Sequence, residues 1–314
     1  MQAWQIAILI LASAAAGAEL PGITPGSAIR PPILGYVQLA PADLRPVAGF
    51  LGANVVMDPV EGGMPAFAAP GQQYALVQNE KSGIGVARLT AGGFAAAKPV
   101  SGALSRIDRV AFSPTGRSAA ILQAQQLQLI TGLPDEPRIV QDLDLSAIAG
   151  NLGAFAISDD AEAAIAAFIN GEKTRLEDLR TGRQVSELVS AAAIRFVAGT
   201  HAALIADSQS NQVLLFEEGA PVLLAGAAEG VSAPSDIETS SDGNAVFVAN
   251  SNGLLVIDRS TRQMRTLACG FAPFSFQKLM RSTVAALSSD GESIAVLDAD
   301  ASSPWPAFAP RIRR

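Results

Sequence analysis

Histidine and cysteine are all but missing from this chain, with one of each, His201 and Cys269, among 314 residues. A lone cysteine excludes an intramolecular disulfide and the multi-cysteine clusters that hold zinc or iron–sulfur centres. Cys269 lies in the apolar run Leu267-Ala268-Cys269-Gly270-Phe271, with no cation beside it to lower its pKa, so a buried, inert thiol is expected. His201 has no ligand spacing around it and no serine placed for a hydrolytic relay. It is expected to be a solvent-facing turn residue, and neither a metal nor a cofactor is expected. The spaced D-x-D-x-D-G loop of a calcium site is also missing. Asp159, Asp160, Asp242 and Asp290, which fall in turns, are expected to bond their own backbone instead.

Positive charge is scarce as well. Lysine and arginine number 22 against 29 acidic residues, giving a net charge of −7 and a pI near 4.8, with no basic cluster. Such a surface repels a phosphate backbone, so nucleic acid is not an expected partner. The apolar run at residues 6–16 falls short of the ~20 residues a membrane span requires. It ends in Ala16-Gly17-Ala18, a small-x-small cleavage pattern, and reads as a signal peptide over residues 1–18 cut before Glu19. Met1-Gln2-Ala3-Trp4-Gln5 departs from the usual pattern in carrying no basic side chain. A secreted or periplasmic protein is the expectation, and no cysteine stands near the cut to take a lipid.

What the chain does have is a repeat. An apolar strand, a tight polar turn and a second apolar strand return six times, anchored on Gly71, Gly116, Ala161, Thr200, Gly243 and Ser282 at intervals of 45, 45, 39, 43 and 39 residues. A period of about 40–45 residues built from four short strands is that of a β-propeller blade. The second repeat is the plainest: Arg109-Val110-Ala111-Phe112, the turn Ser113-Pro114-Thr115-Gly116, then three more alternating segments ending at Arg138-Ile139-Val140-Gln141-Asp142-Leu143. Alanine-rich stretches such as 161–168 and 191–196 could be helical by propensity. Turn chemistry every 10–15 residues leaves no room for helices of ordinary length, so strand is the reading.

At these residues a family resemblance appears. Phe112-Ser113-Pro114-Thr115-Gly116, and Ser240-Ser241-Asp242-Gly243 followed by Val246-Phe247-Val248-Ala249-Asn250, resemble the core of YVTN and WD-like propeller repeats. The likeness spans residues 64–298 and speaks to fold far more than to activity. The Trp-Asp and Gly-His pairs of the eukaryotic-type repeat are absent. An all-β propeller of four-stranded antiparallel blades is therefore expected, with six blades, or seven if both termini and residues 50–66 build another. The expected domains are a Pro-rich arm over residues 19–33, the propeller over 34–300 and a tail over 301–314. The last repeat shows only three strands, so the N-terminal segment is expected to close the ring by pairing with it.

Innermost strands line a propeller's channel, where converging polar groups meet ligands. The candidates there are Arg109 in the second repeat, Arg195 in the fourth, Asp236 and Glu238 in the fifth and Lys278 in the sixth. Their mixed signs suit a zwitterion or small carboxylate; the alternative is a water-filled channel lined by charges that stay wet. Among relatives implied by the resemblance, quinoprotein dehydrogenases need repeated tryptophans, but only Trp305 follows the expected cleavage point. Sugar-lactone hydrolases lean on histidine and acidic residues round the channel, and one histidine gives that reading thin support. The sequence thus points to a monomeric, non-catalytic scaffold for a protein or extracellular ligand, with lactone or sugar-acid hydrolysis in the channel as the alternative.

Overall fold

The computed structural model describes residues 31–310, apart from positions 41, 61–63, 80–81, 91–92, 218, 281, 302–303 and 305. The signal-peptide reading, most of the arm and Trp305 lie outside the described residues. Seven antiparallel sheets follow one another along the chain, in a unit that starts at Pro32. Together they form a seven-bladed propeller. The six repeats are blades 2 to 7, and blade 1 is built from Ile33–Ala40, Asp43–Phe50 and Ala53–Val56. The seven-blade alternative therefore holds, but from residues 33–56 alone. Among the described residues no helix is long and apolar enough to cross a membrane.

Blade 3 shows why these sequences make strands. Arg109–Phe112, Ser118–Gln123, Gln126–Thr131 and Arg138–Asp144 pair in order from the channel outward. The second and third strands are buried on both faces because each blade is packed between two others: Ala120, Leu122, Leu127 and Leu129 meet Phe155, Ile157 and Phe168 of blade 4. The outermost strand alternates between exposed and half-buried, as its polar spacing requires. The alanine-rich stretches are strands for the same reason. Ala164–Asn170 and Ala191–Phe196 fill tight gaps between blades, and burial on two sides overrides helix propensity.

In blades 3, 4 and 6 the turn after the innermost strand is set by a serine and a left-handed residue. In blade 6, Ser240 Oγ accepts the Ala245 N–H (2.9 Å) and donates to Asp242 (2.6 Å), while the Gly243 N–H bonds the Ser240 carbonyl (3.0 Å). Gly116 and Gly243 take φ of 69° and 71°, and Ala161 is held at 61° despite its Cβ. In blade 5 the left-handed residue is Gly199 (φ 68°), one place before the Thr200 anchor. Ser288-Ser289-Asp290-Gly291 repeats the same wiring one turn later in blade 7.

Ring closure differs from the sequence expectation. Residues 33–56 form a sheet of their own, and the fourth strand of blade 7 is Ala307–Phe308, inside the segment read as a tail. A linker rich in serine and proline separates that strand from Ile294–Asp298, and two residues are too few to register as a strand in sequence. The ends of the chain meet by packing, as Val37, Val47 and Val56 bury against Leu279, Ala285, Leu287 and Val296. Two main-chain bonds join this contact, Met280 N–H to the Leu34 carbonyl (2.7 Å) and Val56 N–H to the Pro310 carbonyl (3.0 Å).

Blade 1 also has an unusual polarity. Neighbouring innermost strands run parallel elsewhere, as where Ser235 bonds Phe274 and Asp236 bonds Phe276 between blades 6 and 7. Against blade 7, however, Leu34 meets Met280 and Gln38 meets Gln277, so Ile33–Ala40 runs antiparallel to its neighbour. It has the direction of a second strand, and the blade lacks a first. Blades 2 and 7 touch past it, with the Gly71 N–H on the Lys278 carbonyl (3.2 Å).

Candidate functional site in the central channel

The innermost strands enclose a cavity of about 850 Å³, and Arg109, Arg195, Asp236, Glu238 and Lys278 all line it. Most of these charges are engaged with a neighbouring blade. The Arg109 guanidinium donates to the carbonyls of Leu152 (2.9 Å) and Gly153 on blade 4 and lies over the Phe155 ring, 4.9 Å from its centre. Burial draws its pKa below the usual arginine value. Arg195 of blade 5 pairs with Asp236 of blade 6 at 3.1 Å. The Asp236 charge, with a smaller contribution from Glu238, raises the Arg195 pKa against the opposing effect of burial. Asp236 further accepts the N–H groups of Ile237 and Phe276, each at 2.9 Å, and so ties blades 5, 6 and 7 together.

Glu238 and Lys278 stand apart from this. Glu238 is 9% exposed and accepts the Thr239 N–H at 2.8 Å. Lys278 is half-buried, and among the described residues no hydrogen bond or ion pair engages its ammonium. Charge alone nominated the channel residues, and so it missed two glutamines that do similar work. Gln277 accepts the Gln38 N–H and donates to the Gln38 carbonyl, both at 2.6 Å, clamping the edge of blade 1 with a side-chain amide. Gln38 in turn donates to the Ala66 carbonyl of blade 2 at 2.6 Å. The one available signal, a place on an innermost strand, held for Gln277 but not for Gln38.

The two faces of the disc differ in kind. Where innermost strands begin, Ile169, Val189 and Phe274 are 43%, 44% and 54% exposed, and Ile169 and Phe274 line the mouth of the cavity. The opposite face carries the serine turns, together with Phe50 and Leu51 of blade 1.

His201 lies on that turn face, outside the cavity lining, and its Nε2 is 2.8 Å from Asp160 Oδ2. Burial would raise the Asp160 pKa, but bonds from Ser158, the Glu162 N–H and His201 outweigh it and hold the carboxyl at about 2. Asp160, Asp242 and Asp290 bond their own turns as expected. Asp159 does not: it reaches the Thr115 N–H (2.9 Å) and hydroxyl (2.6 Å) on blade 3 and the Gly199 N–H (3.0 Å) on blade 5. Asp160, Glu162 and His201 bring one ligand atom each within 4.8 Å of one another, an exposed grouping across two blades that spacing in sequence does not reveal. Cys269 is buried, which pushes its pKa up to about 11 and keeps the thiol protonated.

No family model matches the sequence, and no curated protein does. Solved structures do resemble the fold. The WD40 repeats of RRP9 superpose with a TM-score of 0.53 at 10% identity, covering 79% of this chain and 80% of that one. The Swd1 (Cps50) β-propeller domain of Myceliophteria thermophila gives 0.51 at 13% identity over 85% and 96%. KlHsv2, with its loop 6CD replaced by a Gly-Ser linker, gives 0.54 at 10% identity over 88% and 97%. At such identities the likeness is one of fold, and the chain has a WD40-like β-propeller fold.

Proposed function

We propose that this protein is an exported, monomeric and non-catalytic scaffold that docks a protein partner on the face where the innermost strands begin. The observation that carries the reading is that Ile169 and Phe274 are exposed where they line one mouth of the channel, with Val189 exposed on the same face; other exposed apolar side chains, such as Phe50, Val222 and Phe308, do not line the cavity. Exposed apolar groups ringed by small and polar residues suit a polypeptide surface. The channel charges support the same reading from the other side. Arg109, Arg195 and Asp236 are engaged in holding blades together, and His201 lies away from them. WD40-like propellers often serve protein interaction, which agrees with a scaffold role.

A photo-crosslinking residue at position 274, and another at position 50 on the opposite face, tests this in the native exported fraction. Adducts are expected from position 274 alone, and they should fall away when Ile169→Asp is added. Equal adducts from both positions, or none from 274, would overturn the docking face. Export itself is tested by N-terminal sequencing, which should begin at or near Glu19; intact Met1 in the cytosol would refute it.

A further inference from the structure

We infer that the seam between blades 6 and 7 is a binding site for a small zwitterion, a short amino acid whose ammonium meets Glu238 and whose carboxylate meets Lys278. The register places the two side chains together. Glu238 is opposite Phe247 and Lys278 is opposite Val284, and both of those residues belong to the core between blades 6 and 7. Asp236 and Phe276, two residues earlier on the same strands, are joined directly by a hydrogen bond of 2.9 Å. Glu238 and Lys278 are thus the next pair of positions toward the turn face, and both line the 850 Å³ cavity.

Their charges are not settled by the protein. Glu238 is nine-tenths buried, yet among the described residues one N–H, that of Thr239, donates to it. The nearby Arg195 charge acts on Glu238 as well, but less than on Asp236, and its N–H groups are committed to Asp236 and to the Ile194 carbonyl. A carboxylate so far removed from water is under-compensated by one N–H donor. Lys278 presents the opposite charge to the same cavity with no partner among the described residues, and no ion pair within 4 Å joins it to Glu238. A ligand with a cation at one end and an anion at the other supplies what each lacks, whereas a simple cation or anion would satisfy one and leave the other. Asp236, Arg195 and the Phe276 N–H already satisfy one another and form the fixed wall of the site. The inference does not depend on where a protein partner docks.

Calorimetric titration of the mature chain with glycine, β-alanine and 4-aminobutyrate, and with acetate and ethylamine as single-charge controls, decides it. At least one amino acid should bind at least tenfold more tightly than either control. Glu238→Gln and Lys278→Met should each weaken it about tenfold or more, the loss expected for one charge-assisted contact. Lys278→Arg should retain binding, which guards against a variant that merely misfolds, and His201→Ala, outside the cavity, should bind as wild type. Acetate binding as tightly as the amino acids would overturn the zwitterion in favour of a plain anion. No binding by any of the three amino acids at millimolar concentration, or unchanged affinity in both charge variants, would overturn the site.

Discussion

Asp236 is the residue whose removal should be felt most among the channel charges. Replacing it with alanine strips three donors of their acceptor: Ile237 N–H, Phe276 N–H and the Arg195 guanidinium. Phe276 is 4% exposed, so water cannot replace the lost bond, and an orphaned buried N–H costs about 1–3 kcal/mol. The ion pair contributes less, because 38% of the Arg195 side chain is open to solvent, and about 1 kcal/mol is a fair share after screening. The sum is about 2–4 kcal/mol. For a domain of this size that corresponds to a fall in Tm of roughly 5–10 °C. Asp236→Asn keeps a neutral acceptor for the Phe276 N–H and should cost about 1 kcal/mol by the same reasoning. Thermal and urea unfolding followed by circular dichroism would measure both. A Tm for Asp236→Ala within about 1 °C of wild type would refute the idea that this carboxylate clips three blades together.

Gly243→Ala should cost more than about 3 kcal/mol in urea unfolding, since φ is 71° and the new Cβ would fall 2.3 Å from Val197 Cγ1, whereas Gly182→Ala, with φ 68° and open space, should cost about 1 kcal/mol. The Asp160 carboxyl is held at about 2, below its ordinary 3.8, so its contribution is present above pH 4 and is lost as pH falls through 2. Asp160→Asn should therefore lower stability at pH 6 by no more than about 1 kcal/mol, given an exposed side chain, and the difference from wild type should shrink as pH falls through 2 and vanish below it. Gln277→Ala frees the N–H and carbonyl of Gln38 on an edge strand, and light scattering should then detect concentration-dependent association that wild type does not show.

The repeat was legible because its turns are built from local chemistry. Ser113-Pro114-Thr115-Gly116 and Ser240-Ser241-Asp242-Gly243 bond within six residues, so their geometry is written in adjacent letters. Blade 1 was not legible as a blade. It has three strands, and neither the short link between the first two nor the turn at Phe50-Leu51-Gly52 contains a serine. The two-residue strand Ala307–Phe308 was missed because it is defined by its partner, Ile294–Asp298, and not by any pattern of its own. In the channel, charge on an innermost strand was enough to place five side chains at the cavity, but not to say what each does there. Arg195 and Asp236 are 41 residues apart, and Gln38 and Gln277 are 239 apart. Such pairings follow from which blades become neighbours, and that is decided only when the ring closes.

The reversed first blade gives the ring a line of mechanical weakness. Every other junction is backed by a covalent link from one blade to the next, whereas among the described residues the junction between blades 1 and 7 holds by buried valines, two main-chain bonds and one glutamine amide. A force pulling the two ends of the propeller apart loads that junction first, because both ends lie beside it. Blade 1 should peel away as a unit and release about 30 residues, on the order of 100 Å of chain, before any of the six repeats yields. The six remaining innermost strands already touch past the gap through Gly71 and Lys278, so the rest of the disc has a contact on which to hold after the first rupture.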